Sequence, residues 1–352
     1  EHALGTTSFA MAERIEADRA MSSPFVHLHV HSSYSPMQGV PSLETLCRTA
    51  HAQGADTLAL TDTNGLYGAI RFLEVARASG IKPILGTELT YRTHRAVLLA
   101  KTPAGYGNLC RILSARHDEP AFDFTATVAQ HRTGLIILSD DQAALTEWHR
   151  YSGDDLFVEL TPGPDMAETL AFSRRSGLPP VATTRAQFVA PSDYQLHRLL
   201  RAIAGNTTLS RLPDDACCRP THWMVPAADL ARQFPHIPEA LANSRHIAEH
   251  CATDWDFKHS IFPSFRHLTA TQAFDRLRTQ TYEGAYQRYG ALSPAVSARI
   301  EHELAVIRDK GYAEYFLIVE EIVRQAPRTC GRGSAAASIV SYCLHITHVD
   351  PI

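Results

Sequence analysis

The sequence predicts an α/β fold that begins with a mostly parallel sheet or barrel and continues into a mainly helical segment. Seven short apolar stretches in the first half alternate mostly with stretches of helical periodicity, which is the pattern of repeated βα units. After about residue 190 the alternation stops and only helical patterns follow. At 352 residues the chain is too long for one ordinary hydrophobic core, so two domains are expected.

The predicted strands, in chain order, are 25–30, 57–61, 81–85, 96–100, 134–139, 156–160 and 180–183. The first predicted helix begins after Ser42, a residue type that caps helices, and it ends near Gly54. Further helices are predicted over 68–78 and 107–115. Functional groups of parallel α/β folds collect at the carboxyl ends of the strands, so a site is expected in the loops that follow these strands.

In the second half, helices are predicted over 192–204, 227–234, 239–251, 270–288, 294–310 and 313–324, with a boundary near residue 261. The chain does not begin with Met, whereas Met11 and Met21 are present further along. Residues 1–20 are therefore expected to be a leader that is either foreign to the native protein or disordered.

Composition restricts the class of protein. The chain has 33 Lys and Arg residues against 37 Asp and Glu residues, a formal net charge of −4, which gives no electrostatic case for a free-standing nucleic-acid binder. The seven cysteines form no CxxC pair, which favours a reduced, cytoplasmic protein. No apolar run reaches the roughly 18 residues of a membrane span, so no membrane association is expected.

Two stretches carry candidate chemistry. His27, His29 and His31 alternate with apolar residues, so on a strand they would share one face, as in a transition-metal site. A half-buried strand with its polar groups on the wet face explains the same pattern equally well. Further on, Gly331-Arg332-Gly333-Ser334 precedes an apolar helix, where free N–H groups and a guanidinium can hold a phosphate. On spacing alone a tight loop with a helix cap is the better interpretation of that turn.

Longer motifs identify a family resemblance. The chain contains, in this order, Phe25-Val-His-Leu-His-Val-His-Ser, Leu60-Thr-Asp-Thr-Asn-Gly-Leu-Tyr-Gly-Ala, Gly80-Ile-Lys-Pro-Ile-Leu-Gly-Thr-Glu, Lys310-Gly-Tyr-Ala-Glu-Tyr-Phe-Leu-Ile-Val and Gly331-Arg-Gly-Ser-Ala-Ala-Ala-Ser-Ile-Val. Together they resemble the N-terminal PHP domain and the start of the palm of bacterial C-family DNA polymerases, which comprise the replicative alpha subunit and its error-prone paralogues. The resemblance implies a distorted (β/α)7 barrel with a helical extension over 21–262. It also implies a truncated N-terminal part of a nucleotidyltransferase-type palm over 263–352.

The resemblance also implies site residues. In the palm, Arg332, Gly333 and Ser334 would bind the triphosphate of the incoming nucleotide. In the PHP metal motif, His29 and His31 match the opening histidines, with His27 just outside, and Glu88 matches an acidic ligand. The other ligand positions are occupied by different residues, namely Gln38, Thr63, Asp140 or Asp141, Arg185 and Gln187.

These replacements predict a PHP barrel that is hydrolytically inactive and structural, because a site with two or three metals needs several anionic ligands. A single zinc on His29, His31 and Glu88 stays open as an alternative. The rival functions are a metal-dependent phosphoesterase or 3′–5′ exonuclease, and a stand-alone interaction module derived from a polymerase.

For the full-length polymerase the resemblance implies Mg²⁺ as cofactor, and a DNA primer-template, dNTPs and other polymerase subunits as partners. The paired carboxylates of the palm would follow the GRGS turn, beyond Ile352, so no catalytic residue is assigned in this chain. The 352 residues are accordingly expected not to polymerise by themselves.

Overall fold

A computed structural model describes residues 25–118, 121–257, 262–326 and 329–352. The expected leader over residues 1–20 lies outside the described residues. The chain divides into two compact units, and the division falls between Trp255 and Asp256.

The first unit is built on one curled six-stranded sheet. Its strands pair in chain order, and they are β1 (Thr57–Leu60), β2 (Lys82–Tyr91), β3 (His94–Ala100), β4 (Leu135–Ser139), β5 (Leu156–Leu160) and β6 (Pro180–Ala182). All neighbouring pairs are parallel except those of β3, which is antiparallel to both β2 and β4. Only two residues separate β2 from β3, and Arg92 there takes a left-handed φ of 55°, so the chain reverses in a tight hairpin. The α/β fold with a mostly parallel sheet is thus confirmed, and β2 extends beyond the predicted 81–85.

The histidine-rich segment over 25–30 was predicted as the first strand, and in the structure it is extended chain rather than a regular strand. It nevertheless hydrogen-bonds on both sides. The amide of Ala59 in β1 donates to the carbonyl of His27 at 3.0 Å, and the amide of His31 donates to the carbonyl of Ala186 at 2.8 Å. Because Ala186 follows β6, this segment joins the two outer edges of the sheet.

Helices cover the sheet and follow the strands in alternation. They are α1 (Leu43–Ala52), α2 (Ala69–Ala78), α3 (Pro103–Asp118), α4 (Phe124–His131), α5 (Gln142–His149), α6 (Met166–Ser176), α7 (Tyr194–Ala204), α8 (Ala227–Ala231) and α9 (Pro238–His250). Ser42 caps α1 as predicted, accepting a hydrogen bond from the Thr45 amide at 3.2 Å. Asp123 and Asp141 cap α4 and α5 in the same way.

Every residue of β1, β4 and β5 is buried, as expected for strands that are covered on both faces. A polar side chain in such a strand must find partners inside the protein, because water cannot reach it. Glu159 in β5 is the residue to which this constraint applies most strongly.

The second unit is helical. It contains α10 (Ala270–Tyr289), α11 (Pro294–Asp309), α12 (Ala313–Arg324), a 3₁₀ turn (Ser334–Ala337) and α13 (Ile339–Cys343). Buried side chains of all four helices form its core, among them Leu277, Ile300 and Leu317. α13 packs so closely on α10 that a Cβ added at Gly284 would lie 1.9 Å from the carbonyl oxygen of Cys343. Among the described residues of the chain, no helix combines the length and the apolarity required to traverse a bilayer.

Candidate functional site

A cluster of buried polar side chains is formed by the histidine-rich segment and by two strands of the sheet. His29 and His31 come from the segment that joins the sheet edges, Glu88 from β2, and Glu159 from β5. All four are at most 6% exposed. The three residues predicted as metal ligands are therefore brought together, and Glu159 joins them without having been predicted.

The geometry of His29, His31 and Glu88 suits one metal ion. The Nε2 atoms of the two imidazoles lie 3.1 Å apart. The Glu88 carboxylate oxygens lie 3.4 Å from Nε2 of His29 and 3.7 Å from Nε2 of His31. The ligand atoms of all three residues lie within 4.8 Å of one another. Two imidazoles and one carboxylate form a donor set that zinc accepts, and no second group of three potential ligands occurs in the described part of the chain.

Glu159 is the residue of this cluster that the sequence did not predict. Its Oε1 lies 2.6 Å from Nδ1 of His29, so it fixes the orientation of that imidazole from the side opposite Glu88. A carboxylate in this position is the usual second partner of a metal-binding histidine. The signal in the sequence is a single carboxylate within the apolar stretch 156–160, whose charge needs a partner if that stretch is a buried strand.

Arg185 lies between two carboxylates at the centre of the cluster. Its Nη2 is 3.0 Å from Glu159 and 2.6 Å from Asp140, and its Nε is 3.2 Å from Glu159. The backbone of Arg185 takes a left-handed φ of 46°, which is uncommon for a non-glycine residue. Asp140 also accepts two hydrogen bonds from Arg95, at 2.9 and 2.7 Å.

The charges of the cluster compensate one another. Burial opposes protonation of His29, but Glu159 and Glu88 outweigh burial and raise its pKa. Burial works in the same way against ionisation of Glu159, yet Arg185 and His29 hold its pKa well below the usual range. With His29 protonated, three positive and three negative groups are present: His29, Arg95, Arg185, Glu88, Glu159 and Asp140.

Uncharged side chains occupy two further motif positions. The hydroxyl of Thr63 donates to Glu88 at 3.1 Å, and it lies 3.4 Å from the Gln38 side-chain oxygen. Neither residue supplies the charge or the imidazole that the family motif has at its position. Thr63 completes the hydrogen bonding of Glu88 instead, and Gln38 contacts Thr63.

Of the two aspartates proposed for one motif position, only Asp140 belongs to the cluster. Asp141 accepts from the Ala144 amide at 3.0 Å as the cap of α5, and its other oxygen lies 2.7 Å from His94. Of the two, Asp140 is therefore the one whose carboxylate contacts Arg185.

His222 is a buried histidine beside this cluster, on the chain that follows α7. Its Nε2 has no hydrogen-bond partner. Burial, with the cations of Arg185 and His29 nearby, lowers its pKa to about 3. The residue is therefore neutral over the whole ordinary pH range of the folded protein.

The turn predicted to bind nucleotide belongs to the second unit. Arg332, Gly333 and Ser334 are exposed, and Gly333 takes a φ of 67° and a ψ of −161°. The helix expected directly after this turn begins only at Ile339, where the Ser338 side chain caps it. A short 3₁₀ turn comes first, so the exposed amides at the turn are those of a 3₁₀ turn rather than of an α-helix.

Comparison with known proteins identifies both units. Residues 27–162 match the PHP domain family, and residues 275–352 match the bacterial DNA polymerase III alpha NTPase domain. The error-prone DNA polymerase of Symbiobacterium thermophilum is 33% identical over 93% of this chain and 35% of its own length. The DNA polymerase III subunit alpha of Treponema pallidum is 31% identical over 93% of this chain and 32% of its own length.

The chain belongs to the bacterial DNA polymerase III alpha family. It spans about a third of the length of these relatives. A solved two-domain protein from Bacteroides vulgatus, described as containing a PHP-like metal-dependent phosphoesterase, aligns with a TM-score of 0.36 at 15% identity over 63% of each chain. The two family matches and the identity to the two polymerases confirm the polymerase family and the PHP domain recognised in the sequence.

Glu159→Gln tests the charge compensation of the cluster. The amide cannot neutralise Arg185 and His29, so the first unit should lose about 3–5 kcal/mol of unfolding free energy, as when one partner of a buried ion pair is removed. The measurement is urea unfolding followed by circular dichroism. Glu147→Gln is the control, since Glu147 forms an exposed pair with Arg150 and its loss should cost under about 0.5 kcal/mol. Equal losses in the two variants would contradict this account.

His222→Gln tests the burial of a neutral histidine. In the unfolded chain His222 takes up a proton below pH 6.5, whereas in the folded chain it does so only near pH 3, so acid favours the unfolded state. Wild-type protein should lose about 2 kcal/mol more than the variant between pH 7.5 and pH 5. Urea unfolding at the two pH values measures this difference. An identical pH dependence in both proteins would show that His222 titrates normally.

Proposed function

We propose that this chain is the N-terminal portion of a DNA-directed DNA polymerase of the alpha type, acting in DNA replication or translesion repair. The observation that carries the proposal is an identity of 31–33% that extends over 93% of the chain and so through both units. The relatives are DNA polymerases by name, and we therefore propose that this protein is cytoplasmic. Its partners would be primer-template DNA, dNTPs and other subunits of the polymerase.

The barrel of the first unit is, in this proposal, structural and not hydrolytic. The contacts of Arg185 support it, because its guanidinium lies between Glu159 and Asp140, where a cluster of metal ions would need free carboxylates. Thr63 and Gln38 add no charge that would attract a second ion. The helices that cover the sheet and the compensated ionic cluster keep the barrel folded.

A single zinc is the alternative use of the site. His29, His31 and Glu88 would hold it, with Glu159 orienting His29, and the donor set fits. When bound there, zinc supplies a Lewis acid and lowers the pKa of a coordinated water. For the complete polymerase we propose Mg²⁺ as cofactor, held by palm carboxylates outside these residues.

The second unit would receive the nucleotide. Arg332, Gly333 and Ser334 are exposed at one turn, and the guanidinium and the backbone amides there are suitable donors for a triphosphate. We assign no catalytic residue to this chain.

The inactive barrel is tested by assaying the purified chain with bis-p-nitrophenyl phosphate and with 3′-labelled single-stranded DNA. We expect no release of product above background with Mg²⁺, Mn²⁺ or Zn²⁺, because the carboxylates that would gather several ions are engaged by arginines. His31→Ala is the matched control for any residual rate.

Metal-dependent turnover that disappears in His31→Ala would reject the structural barrel and establish the phosphoesterase or exonuclease. Elemental analysis of the same sample decides the metal content. One zinc per chain without turnover would support the single-ion alternative, and two or three ions per chain would favour the hydrolase.

Nucleotide binding at the turn is tested with a fluorescent dATP analogue and Mg²⁺, measured by anisotropy. Arg332→Gln should weaken binding about tenfold, because a charge-assisted hydrogen bond contributes roughly 1.5–3 kcal/mol. Arg308→Gln removes an exposed arginine of the same unit and should change binding by less than about twofold. Equal effects of the two substitutions would place the nucleotide elsewhere.

A further inference from the structure

Two histidines lie one turn apart at the carboxyl end of α9, outside the charged cluster. His246 and His250 are separated by three residues, so their side chains project from the same face of the helix. Both are exposed, whereas the opposite face of α9 is buried through Ser244, Ile247 and Ala248. The fold therefore presents a pair of imidazoles to the solvent.

α9 covers the end of the barrel at which the strands begin. The amide of Val26 donates to the hydroxyl of Ser244 at 3.0 Å, and the side chain of Asn243 donates to the carbonyl of Pro180, the first residue of β6, at 2.7 Å. Glu159, in contrast, lies next to the last residue of β5, and Arg185 follows β6. The histidine pair is therefore separate from the charged cluster, and nothing proposed above gives it a role.

The two imidazoles are close enough to share one ion. Their ring centroids lie 4.3 Å apart, with an angle of 48° between the ring planes. In the barrel, the rings of His29 and His31 have centroids 5.0 Å apart, and their Nε2 atoms are 3.1 Å apart. A tetrahedral zinc ion with zinc–nitrogen distances of about 2.0–2.1 Å needs two ligand nitrogens roughly 3.3 Å apart. The spacing of the rings of His246 and His250 is of the size that a shared ion requires.

A hydrogen bond prepares the ring of His250 for coordination. Its Nδ1 lies 2.7 Å from the backbone carbonyl oxygen of His246. Because a carbonyl only accepts, Nδ1 carries the proton, and Nε2 of the neutral ring keeps its lone pair. Metal-binding histidines usually donate their other ring N–H to a carbonyl or a carboxylate in this way. The contact therefore fixes the tautomer that can bind a metal through Nε2.

The surroundings of the pair favour a cation. His250 is the last residue of α9, where the free carbonyls give the helix a partial negative charge. Glu249 is exposed in the same turn and adds a full negative charge. Imidazole nitrogens suit zinc, nickel and copper ions, whereas Mg²⁺ prefers oxygen ligands. The chemistry of the pair therefore selects a divalent transition metal.

We propose that His246 and His250 form a second metal site of this chain. It takes one divalent ion of the zinc, nickel or copper class through two imidazole nitrogens, and water completes the coordination. The site uses no residue of the barrel cluster and is independent of the polymerase assignment. An ion held here would be counted together with any ion of the barrel, so the metal content of the barrel is that of a variant lacking the pair.

The test is isothermal titration of the metal-free full chain with ZnCl₂ and, separately, with NiCl₂. We expect saturable binding of either ion outside the barrel. His246→Gln and His250→Gln should each weaken it at least about tenfold, because each removes one of two protein ligands, and even the loss of a ligand's hydrogen-bond partner costs about 10–100-fold. His236→Gln, which removes an exposed imidazole just before α9, should change it by less than about twofold.

His31→Ala distinguishes this site from the barrel, and it should leave binding at the pair within about twofold. Titration with MgCl₂ should show no binding that depends on the pair. The proposal is overturned if either His246→Gln or His250→Gln binds zinc and nickel as tightly as the wild type, if His236→Gln loses as much affinity as they do, or if His31→Ala abolishes all binding with an unchanged unfolding midpoint. Unfolding midpoints of all variants, compared without metal, separate loss of the site from loss of the fold.

Discussion

The buried carboxylate of Glu159 is the group on which the polar centre of the barrel depends. It lies in a strand that is buried at every position, so without partners its ionised form would be strongly disfavoured. Two partners compensate its negative charge: Nδ1 of His29 lies 2.6 Å from Oε1, and Nη2 of Arg185 lies 3.0 Å from Oε2. These two residues also lie on the segments that hydrogen-bond across the edges of the sheet, where the amide of Ala186 donates to the carbonyl of His29. Through these two contacts, the Glu159 carboxylate links the segment before β1 to the segment after β6.

An arginine and a metal ion satisfy such carboxylates in different ways. Arg185 supplies a permanent positive charge and hydrogen bonds of fixed direction to Glu159 and Asp140. It has no open coordination position and cannot activate a water molecule. In the proposed structural barrel, a guanidinium in place of ions would accordingly preserve the architecture without supplying the chemistry. The PHP domain would then stay folded with other residues at most of the ligand positions that the resemblance implies.

Much of the fold followed from local patterns, and the remainder required knowledge of contacts between distant residues. Alternating apolar stretches predicted all six strands of the sheet, and Ser42 marked the start of α1. Residues 25–30 were predicted as a strand, but it could not be predicted that they would lack a regular ladder and pair through isolated contacts with Ala186, far along the chain. The three candidate ligands His29, His31 and Glu88 were predicted from motif positions, and the structure brings them together. Glu159 was missed because a strand pattern records polarity but not the requirement that a buried charge be neutralised.

The charge balance of the cluster also governs how a metal ion can enter. With His29 protonated the six ionised groups sum to zero, so the cluster needs no further cation. A divalent ion on His29, His31 and Glu88 would displace the proton of His29 and leave a net charge of about +1 in a buried place, which is unfavourable. If Arg95 and Arg185 were absent, one divalent ion would bring two positive charges against the three negative charges of the carboxylates. The remaining negative charge would then attract a second ion. The arginines thus oppose a cluster of metals more strongly than a single one, which is why the number of bound ions, and not merely their presence, separates a structural barrel from a hydrolytic one.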